Sequence, residues 1–249
     1  MNSSSKNRSS SPGRTFATIS WSMVVQAATD ESPESFSALS ELCDAYWYPL
    51  YSYVRRKGYS CEEAEDLTQS FFSELLDKKQ LQVADQQRGR FRTFLLAALD
   101  NFVNKQWRAK QALKRGGGES IISFDFQTAE EQYANEPFHE WTPEKIFERN
   151  WALAVLSKAL DGVRQQYVDN DKSALFDELK IYLGDAREVP YKAVAQKLDT
   201  TEGAIKVAVF RLRERYGEQL RLQIARTVES TRDVNEELHS LMLALRSNE

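Results

Sequence analysis

The sequence predicts an all-α protein, built as two small helical domains joined by an acidic linker. Most long segments consist of Ala, Leu, Glu, Gln, Arg and Lys, which are residues that favour helices. Only 10 Gly and 6 Pro interrupt the 249 residues, and few stretches alternate polar and apolar residues as strands do. Apolar residues recur instead at intervals of three and four, which is the spacing of one buried helical face.

The first predicted elements precede residue 60. Residues 1–14 are polar and Ser-rich and are predicted to be disordered, and a short helix is predicted at 16–28. Pro33 opens a longer helix that ends at Gly58, with a kink at Pro49. The expected inner residues of this second helix are Leu39, Leu42, Tyr46, Leu50, Tyr53 and Val54.

The next two helices begin and end at recognisable signals. Ser60 and Glu63 form a capping-box pattern at the start of the third helix. A polar loop is predicted at 77–90, and a fourth helix at about 91–115 is stopped by three consecutive glycines. Their apolar stripes are Ala64, Leu67, Phe71, Leu75 and Leu76 in the third helix, and Phe91, Phe94, Leu95, Ala98 and Phe102 in the fourth.

The C-terminal half is predicted to be helical after a connector. Residues 119–141 have no sustained period and are predicted to be an acidic linker. Thr142 and Pro143 then cap a helix, and further helices are predicted at 173–183 and 234–245. The predicted organisation is, in order, a tail at 1–14, a first domain at 15–118, the linker at 119–141, a second domain at 142–226 and an extension at 227–249.

Residues 191–216 are predicted to form two helices joined by a tight turn. Thr201 is a good N-cap for the second, because its hydroxyl can accept a hydrogen bond from an unpaired amide of the first turn. The expected inner residues of that helix are Ile205, Ala208, Val209 and Leu212. The polar residues on its other faces include Glu202, Lys206, Arg211 and Arg213. Such a helix can enter the major groove of DNA, although many helical hairpins with basic outer faces bind nothing.

The fourth predicted helix ends in a basic segment that carries an aromatic residue. Its last eleven residues contain five Lys or Arg and no acid. Side chains suited to phosphates or base edges include Asn101, Lys105, Arg108 and Lys110. Trp107 lies among them and off the apolar stripe, where an indole can stack on an unpaired base. The pattern favours contact with nucleic acid, and the alternative is an ordinary solvated surface.

Charge is distributed unevenly along the chain. The net charge is −4, which by itself argues against a nucleic-acid binder. However, residues 88–118 carry eight Lys or Arg against one acid, and residues 191–226 carry eight against four. Between them, residues 119–149 carry eight acids against two bases. Two basic modules therefore flank an acidic connector, an arrangement that favours nucleic-acid contact by the modules.

The third predicted helix has acidic first turns, which complement the helix dipole. Gln69, Phe72 and Ser73 lie off its apolar stripe. An exposed Phe on a polar helix indicates a protein interface. The alternative is that Phe72 makes a contact with the core.

Patterns for catalysis or metal binding are not found in the sequence. Cys43 and Cys61 form neither a disulfide framework nor a metal-binding pair, and His139 and His239 are isolated. The three glycines at 116–118 lack the ending of a P-loop. We therefore expect no enzyme, metal, cofactor or small-molecule substrate. No apolar run is long enough to span a membrane, and two free thiols favour a cytoplasmic protein.

Three segments together resemble the small extracytoplasmic-function subgroup of bacterial RNA polymerase sigma factors. Similarity to their domain two is carried by YWYPLYSYVRRKGYSCEEAEDLTQSFFSELL and RGRFRTFLLAALDNFVNKQWRAKQ. Similarity to their domain four is carried by YKAVAQKLDTTEGAIKVAVFRLRERY. The segments occur in the order that the family has, with a linker between them.

The resemblance implies a sigma factor that binds core RNA polymerase and promoter DNA, with an anti-sigma factor as a further candidate partner. The residues implied in docking on the largest polymerase subunit are Asp66, Leu67, Gln69 and Phe72. Loop 81–89 is implied in capturing a flipped base of the minus-ten element. The residues implied at that element are Asn101, Lys105, Trp107, Arg108 and Lys110. Those implied at the minus-thirty-five element are Thr201, Glu202, Lys206, Arg211 and Arg213. The acidic linker is implied to thread the RNA path of the polymerase.

The chain also departs from the family pattern. A longer segment at 163–190 replaces the usual short one with its Leu-Pro and Arg-Glu-Val-Phe strings. The linker is long, and the chain continues past the end that the family leads us to expect. These differences predict a divergent branch.

A second interpretation remains open. The hairpin also suits a free-standing helix-turn-helix regulator whose N-terminal half serves dimerisation or sensing. Co-purification with core polymerase discriminates the two, because a repressor has no need to bind the polymerase stoichiometrically.

Overall fold

The chain is helical throughout the part that a computed structural model describes. The described residues are 33–76, 90–112, 125–136, 141–184, 189–228 and 231–246. Within them every regular element is a helix, which confirms the predicted all-α class. The predicted tail at 1–14, the helix at 16–28 and the loop at 81–89 lie outside the described residues.

Nine α-helices follow one another in the described ranges. Their bounds are α1 (Pro33–Arg56), α2 (Cys61–Leu76), α3 (Phe91–Ala112), α4 (Phe126–Ala134), α5 (Pro143–Val168), α6 (Ser173–Leu179), α7 (Tyr191–Lys197), α8 (Glu202–Ala225) and α9 (Thr231–Arg246). A 3-10 helix, Lys180–Leu183, follows α6 directly. The predicted helices that fall within these ranges are confirmed, with ends shifted by a few residues. None of the helices in these ranges has both the length and the apolar composition that a membrane span requires.

The capping residues predicted from the sequence are present at the starts of two helices. The Ser60 N–H donates to the Glu63 carboxylate (3.2 Å), and the Glu63 N–H donates to Ser60 Oγ (3.2 Å). This reciprocal pair is the capping box at the start of α2. The Thr142 hydroxyl likewise accepts a hydrogen bond from the Lys145 N–H (3.3 Å), with Pro143 in the first turn of α5.

The first hydrophobic cluster forms around α1 and contains residues of α1 to α4, of α9, and of one half each of α5 and α8. α1 packs most extensively against α5 and also against α2. Tyr46, Leu50 and Tyr53 of α1 are buried, as predicted, and so is Trp151 of α5. Complete burial of a side chain such as Leu50 contributes about 1.5–3 kcal/mol to stability.

The second hydrophobic cluster is smaller and surrounds the predicted hairpin. It joins the C-terminal part of α5 to α6, the 3-10 helix, α7 and the N-terminal half of α8. Its buried residues are Val163, Tyr167, Phe176, Leu179, Tyr182, Val194, Ala195, Ile205, Val209 and Leu212. The predicted inner face of the second hairpin helix is therefore confirmed, since Ile205, Val209 and Leu212 are buried and Ala208 packs against them.

Two long helices belong to both clusters. Helix α5 has 26 residues, so it is about 39 Å long, and it contributes Trp151 to the first cluster and Tyr167 to the second. Helix α8 contributes Val209 to the second cluster and Ile224 to the first. The change from one cluster to the other therefore occurs within α5 and α8. The domain boundaries predicted from sequence stay predictions.

The connector contains a helix, Phe126–Ala134, that the sequence did not predict, and its role as a linker stays a prediction. Asp125 caps α4 by accepting a hydrogen bond from the Thr128 N–H (3.1 Å). Phe126, Ala129 and Tyr133 are buried, at a spacing of three and four residues. The sequence carried this signal, but one short stripe among many acids does not produce a sustained period.

The C-terminal segment is an integral part of the first cluster. Val234 and Leu241 of α9 are buried there, and the helix predicted at 234–245 is confirmed. Glu237 of α9 is also buried and is bound by Arg92 of α3, with Arg92 Nε 2.6 Å from the nearer carboxylate oxygen. The extension therefore packs against α3, α5 and α8 as a structural helix.

Candidate nucleic-acid interface

A tight turn positions α8 at the surface of the second cluster. Asp199 has a φ of 47°, in the left-handed region that Asp tolerates better than most residues. The Thr200 N–H donates to the Ala195 carbonyl (2.9 Å), which closes the end of α7. Thr201 then caps α8 by accepting a hydrogen bond from the Ala204 N–H (3.2 Å). The predicted helix–turn–helix geometry is therefore present.

The exposed start of α8 carries three of the residues predicted at DNA, Thr201, Glu202 and Lys206. Each of them interacts with a neighbouring residue. Lys206 Nζ is 2.8 Å from a Glu202 carboxylate oxygen and 5.9 Å from the centroid of the Tyr191 ring. The hydrogen bond to Glu202 raises the pKa of Lys206, and the same bond lowers the pKa of Glu202. Lys206 is therefore positively charged, and a bound phosphate would compete with Glu202 for it.

The two arginines predicted on α8 differ in their surroundings. Arg211 is exposed, and no carboxylate among the described residues lies within ion-pair distance of it. Arg213 instead donates two hydrogen bonds to the Tyr182 carbonyl, at 3.2 Å from Nε and 2.9 Å from Nη2. Arg213 therefore ties α8 to the end of the 3-10 helix, and its role at DNA stays a prediction.

Two apolar residues on the outer face of α8 are not among the predicted site residues. Val207 is 50% exposed and Phe210 is 61% exposed, the largest value among the exposed large hydrophobic residues in the described ranges. At 100° per residue they lie within about 60° of each other. Lys206 borders them on one side and Arg211 on the other. The signal was available, because both residues fall opposite the inner face of the helix.

Helix α3 presents the second set of predicted residues at its C-terminal end. Asn101, Lys105 and Arg108 are exposed and share one face by their spacing of four and three residues. Trp107 is 55% exposed beside them, which confirms that it lies off the apolar stripe. Lys105 Nζ is 2.9 Å from a carboxylate oxygen of Glu74 on α2. The side chain of Lys110 lies outside the described residues.

Only part of the predicted docking surface on α2 is exposed. Asp66 is exposed and Gln69 is half-buried, but Leu67 and Phe72 belong to the core. The prediction that Phe72 is exposed is wrong, and the alternative of a core contact is correct. The reason is that α2 packs against both α1 and α3, so its buried face is wider than one stripe. The Phe72 ring packs on Phe71 at 5.7 Å between centroids.

Acids of the predicted linker are used within the fold. Glu130 pairs with Arg55 (2.6 Å) and accepts a hydrogen bond from the Tyr51 hydroxyl (2.5 Å). The hydrogen bonds from Arg55 hold the pKa of Glu130 below its usual value. Glu136 accepts hydrogen bonds from Tyr48 and Asn150, both at 2.7 Å. These two carboxylates therefore attach the connector to α1 and α5.

The predicted site residues of α2 and α3 lie on two helices that pack together in the first cluster. The outer face of α8 lies on the half of that helix that packs in the second cluster. Phe71 of α2 packs on Phe102 of α3 at 5.7 Å between ring centroids. Among the residues that the structure describes, no group of three or more His, Cys, Asp or Glu is arranged to hold a metal ion.

Comparisons with known proteins do not identify a relative. No protein-family model matches the chain, and searches of curated proteins and of solved structures found no match.

Proposed function

We propose that the chain is a sigma factor, a subunit that binds core RNA polymerase and directs promoter recognition, DNA melting and the initiation of transcription. The observation that carries the proposal is that one chain has two chemically different surfaces suited to DNA. Helix α8 begins directly after a capped turn, and Lys206 and Arg211 border its outer face. The end of α3 combines exposed amides and cations with Trp107.

The two surfaces suit two states of promoter DNA. A helix that projects from a helix–turn–helix unit fits the major groove of a duplex, where phosphate attraction makes binding salt-sensitive. An exposed indole beside amides and cations suits opened strands, because stacking of a base contributes about 1–3 kcal/mol. That range is comparable to the few kcal/mol that extruding a base costs. Trp107 would therefore help to offset the cost of opening the minus-ten element.

The acidic start of α2 is the proposed contact with core polymerase. Asp66 and Gln69 remain at the surface there, on the same cluster as the end of α3. An exposed carboxylate binds a basic partner through charge-assisted hydrogen bonds, which are stronger than neutral ones. The proposal includes action in the bacterial cytoplasm, where core polymerase works.

A free-standing helix–turn–helix regulator is the second candidate function. The burial of Leu67 and Phe72 favours it, because it removes the apolar half of the proposed docking surface. In that case the first cluster would serve dimerisation or sensing, and α8 alone would contact DNA.

Size-exclusion chromatography of the full chain with purified core polymerase separates the two functions. A sigma factor co-elutes with the core at one copy per enzyme. Asp66→Asn should weaken this association by about tenfold, since a hydrogen bond to a charged group contributes about 1.5–3 kcal/mol. Asp161→Asn is the matched control, because Asp161 is an exposed carboxylate on α5.

The outcome decides between the candidates. Stoichiometric association that is weakened only by Asp66→Asn supports the proposal. Elution of the chain apart from the core enzyme, at concentrations up to micromolar, contradicts it and leaves the regulator.

A further inference from the structure

The outer face of α8 carries an apolar strip that packing among the described residues does not explain. Val207 and Phe210 are 50% and 61% exposed, whereas Ile205 and Val209 on the inner face are buried. Phenylalanine is among the residues most often buried, so one left in water beside a second exposed apolar residue needs a reason. The strip is too small to suggest a stable protein interface by itself.

The charges around the strip indicate what covers it. The cations Lys206 and Arg211 border Val207 and Phe210 on opposite sides of the helix, and one acid, Glu214, lies on the same face one turn beyond Phe210. The DNA major groove has the complementary arrangement, with phosphates along both walls and base edges on its floor. On that floor the only apolar group is the C5 methyl of thymine.

A glycine on the same face of α8 would allow the helix backbone to approach DNA closely. Gly203 lies one turn before Val207, and a Cβ added there would meet only the Thr201 hydroxyl, at 4.0 Å. The first turn of α8 therefore presents backbone without a side chain on the face that carries the strip.

We propose that Val207 and Phe210 read thymine through its C5 methyl group, so that the duplex element bound by α8 has A·T pairs at its centre. This inference rests on the proposed function only in that α8 enters duplex DNA. The cations position the helix by contact with phosphates, which carry no sequence information, and the apolar strip supplies selectivity.

Replacement of thymine by deoxyuridine tests the inference, because it removes only the methyl group. The preferred duplex is first selected from a randomised pool with the full chain, alone and with core polymerase. Each thymine of the selected element is then replaced by deoxyuridine, and the dissociation constant is measured. We expect about a fourfold loss of affinity for each contacted methyl, since burial of one such group is worth about 0.8 kcal/mol.

Variants assign the effect to the strip. Phe210→Ala should bind the selected duplex more weakly and should no longer distinguish thymine from deoxyuridine at the position it contacts. Val207→Ala should do the same at a neighbouring position. Leu222→Ala is the matched control, because Leu222 is exposed on α8 away from the strip, and it should keep the full discrimination. Circular dichroism and thermal melting check that each variant folds.

The results separate this inference from the proposed function. Selective duplex binding with equal affinity for thymine and deoxyuridine overturns methyl recognition and leaves the sigma-factor proposal standing. Loss of association with core polymerase in Phe210→Ala, with DNA binding unchanged, shows that the strip contacts protein and also overturns it. A pool that yields no selected sequence, with or without core polymerase, contradicts both.

Discussion

Arg92 at the start of α3 and Arg211 in the middle of α8 carry the same charge but lie in opposite environments. Arg92 is 4% exposed, pairs with Glu237 and Glu148, and stacks on the Trp151 ring at 4.4 Å from the centroid. Arg211 is exposed on the face of α8 that we propose binds DNA. Both belong to stretches that the sequence identifies as basic. A count of positive residues in the sequence therefore does not give the charge of a surface.

The difference changes the electrostatics of the first basic stretch. Arg90 also pairs with Glu237 of α9 (3.0 Å) and donates to the Ser240 hydroxyl (2.7 Å). Arg90 and Arg92 are thus neutralised by a helix that follows them by about 140 residues in sequence. The cations that α3 offers to a ligand are those at its C-terminal end, such as Arg108.

The largest expected effect is a difference in stability between the loss of a buried phenylalanine and the loss of an exposed one. Phe72→Ala should lower the free energy of unfolding by about 3–5 kcal/mol, because it empties a filled site in the core. Phe210→Ala should change it by less than about 0.5 kcal/mol, because that ring already lies in water. Denaturant unfolding of both variants measures the difference. Equal losses would mean that Phe72 is not a core residue.

The next effect concerns the buried ion network. Glu237→Gln should lower the free energy of unfolding by about 2–3 kcal/mol, since Arg92 stays buried while its main carboxylate partner becomes neutral. The retained amide keeps part of the hydrogen bonding, so the loss is smaller than for complete removal. Glu236→Gln, at an exposed neighbour on α9, should have little effect. Similar stability of the two variants would contradict the assignment of Glu237 as an anchor.

An intermediate case is the half-exposed pair of Arg55 and Glu130. Because Arg55 lowers the pKa of Glu130 in the folded state, stability from this carboxylate is complete above its unfolded pKa of about 4.3. It is lost as the pH falls from about 5 through the lower folded value. The contribution at neutral pH should be about 1 kcal/mol or less, as for other partly exposed pairs.

Unfolding curves between pH 7 and pH 3 measure this contribution. Glu130→Gln should start less stable than the parent chain at pH 7, and the two should converge as the pH falls. A constant difference across that range would show that the charge of Glu130 does not stabilise the fold.

The smallest effects on stability belong to the exposed cations of α8. Lys206→Ala and Arg211→Ala should leave the unfolding midpoint unchanged. Each should reduce the steepness of the plot of log affinity for duplex DNA against log salt concentration by about one. Binding titrations at several salt concentrations measure this slope. Arg213→Ala provides the comparison, because its bonds to the Tyr182 carbonyl predict a loss of stability.

The features predictable from sequence are those that neighbouring residues determine. The capping box at Ser60, the cap at Thr142 and the hairpin cap at Thr201 each depend on residues within one turn, so their patterns sufficed. The exposure of Trp107 also followed from its position off a periodic stripe.

The features that could not be predicted depend on contacts between distant segments. Phe72 is buried because α2 meets two other helices, and periodicity shows only one stripe. The neutralisation of Arg92 requires knowing that α9 returns to α3. Phe210 could have been found from its place opposite the inner face, but its chemistry differs from the charged residues sought there.

Run-off transcription with purified core polymerase on a promoter library tests the central claim most directly. The full chain should enable initiation at a defined set of promoters that core polymerase alone does not use. The Lys206→Ala, Arg211→Ala double variant should lose most of this activity while it still co-elutes with the core enzyme. Transcription that is identical with and without the chain would contradict the proposed function.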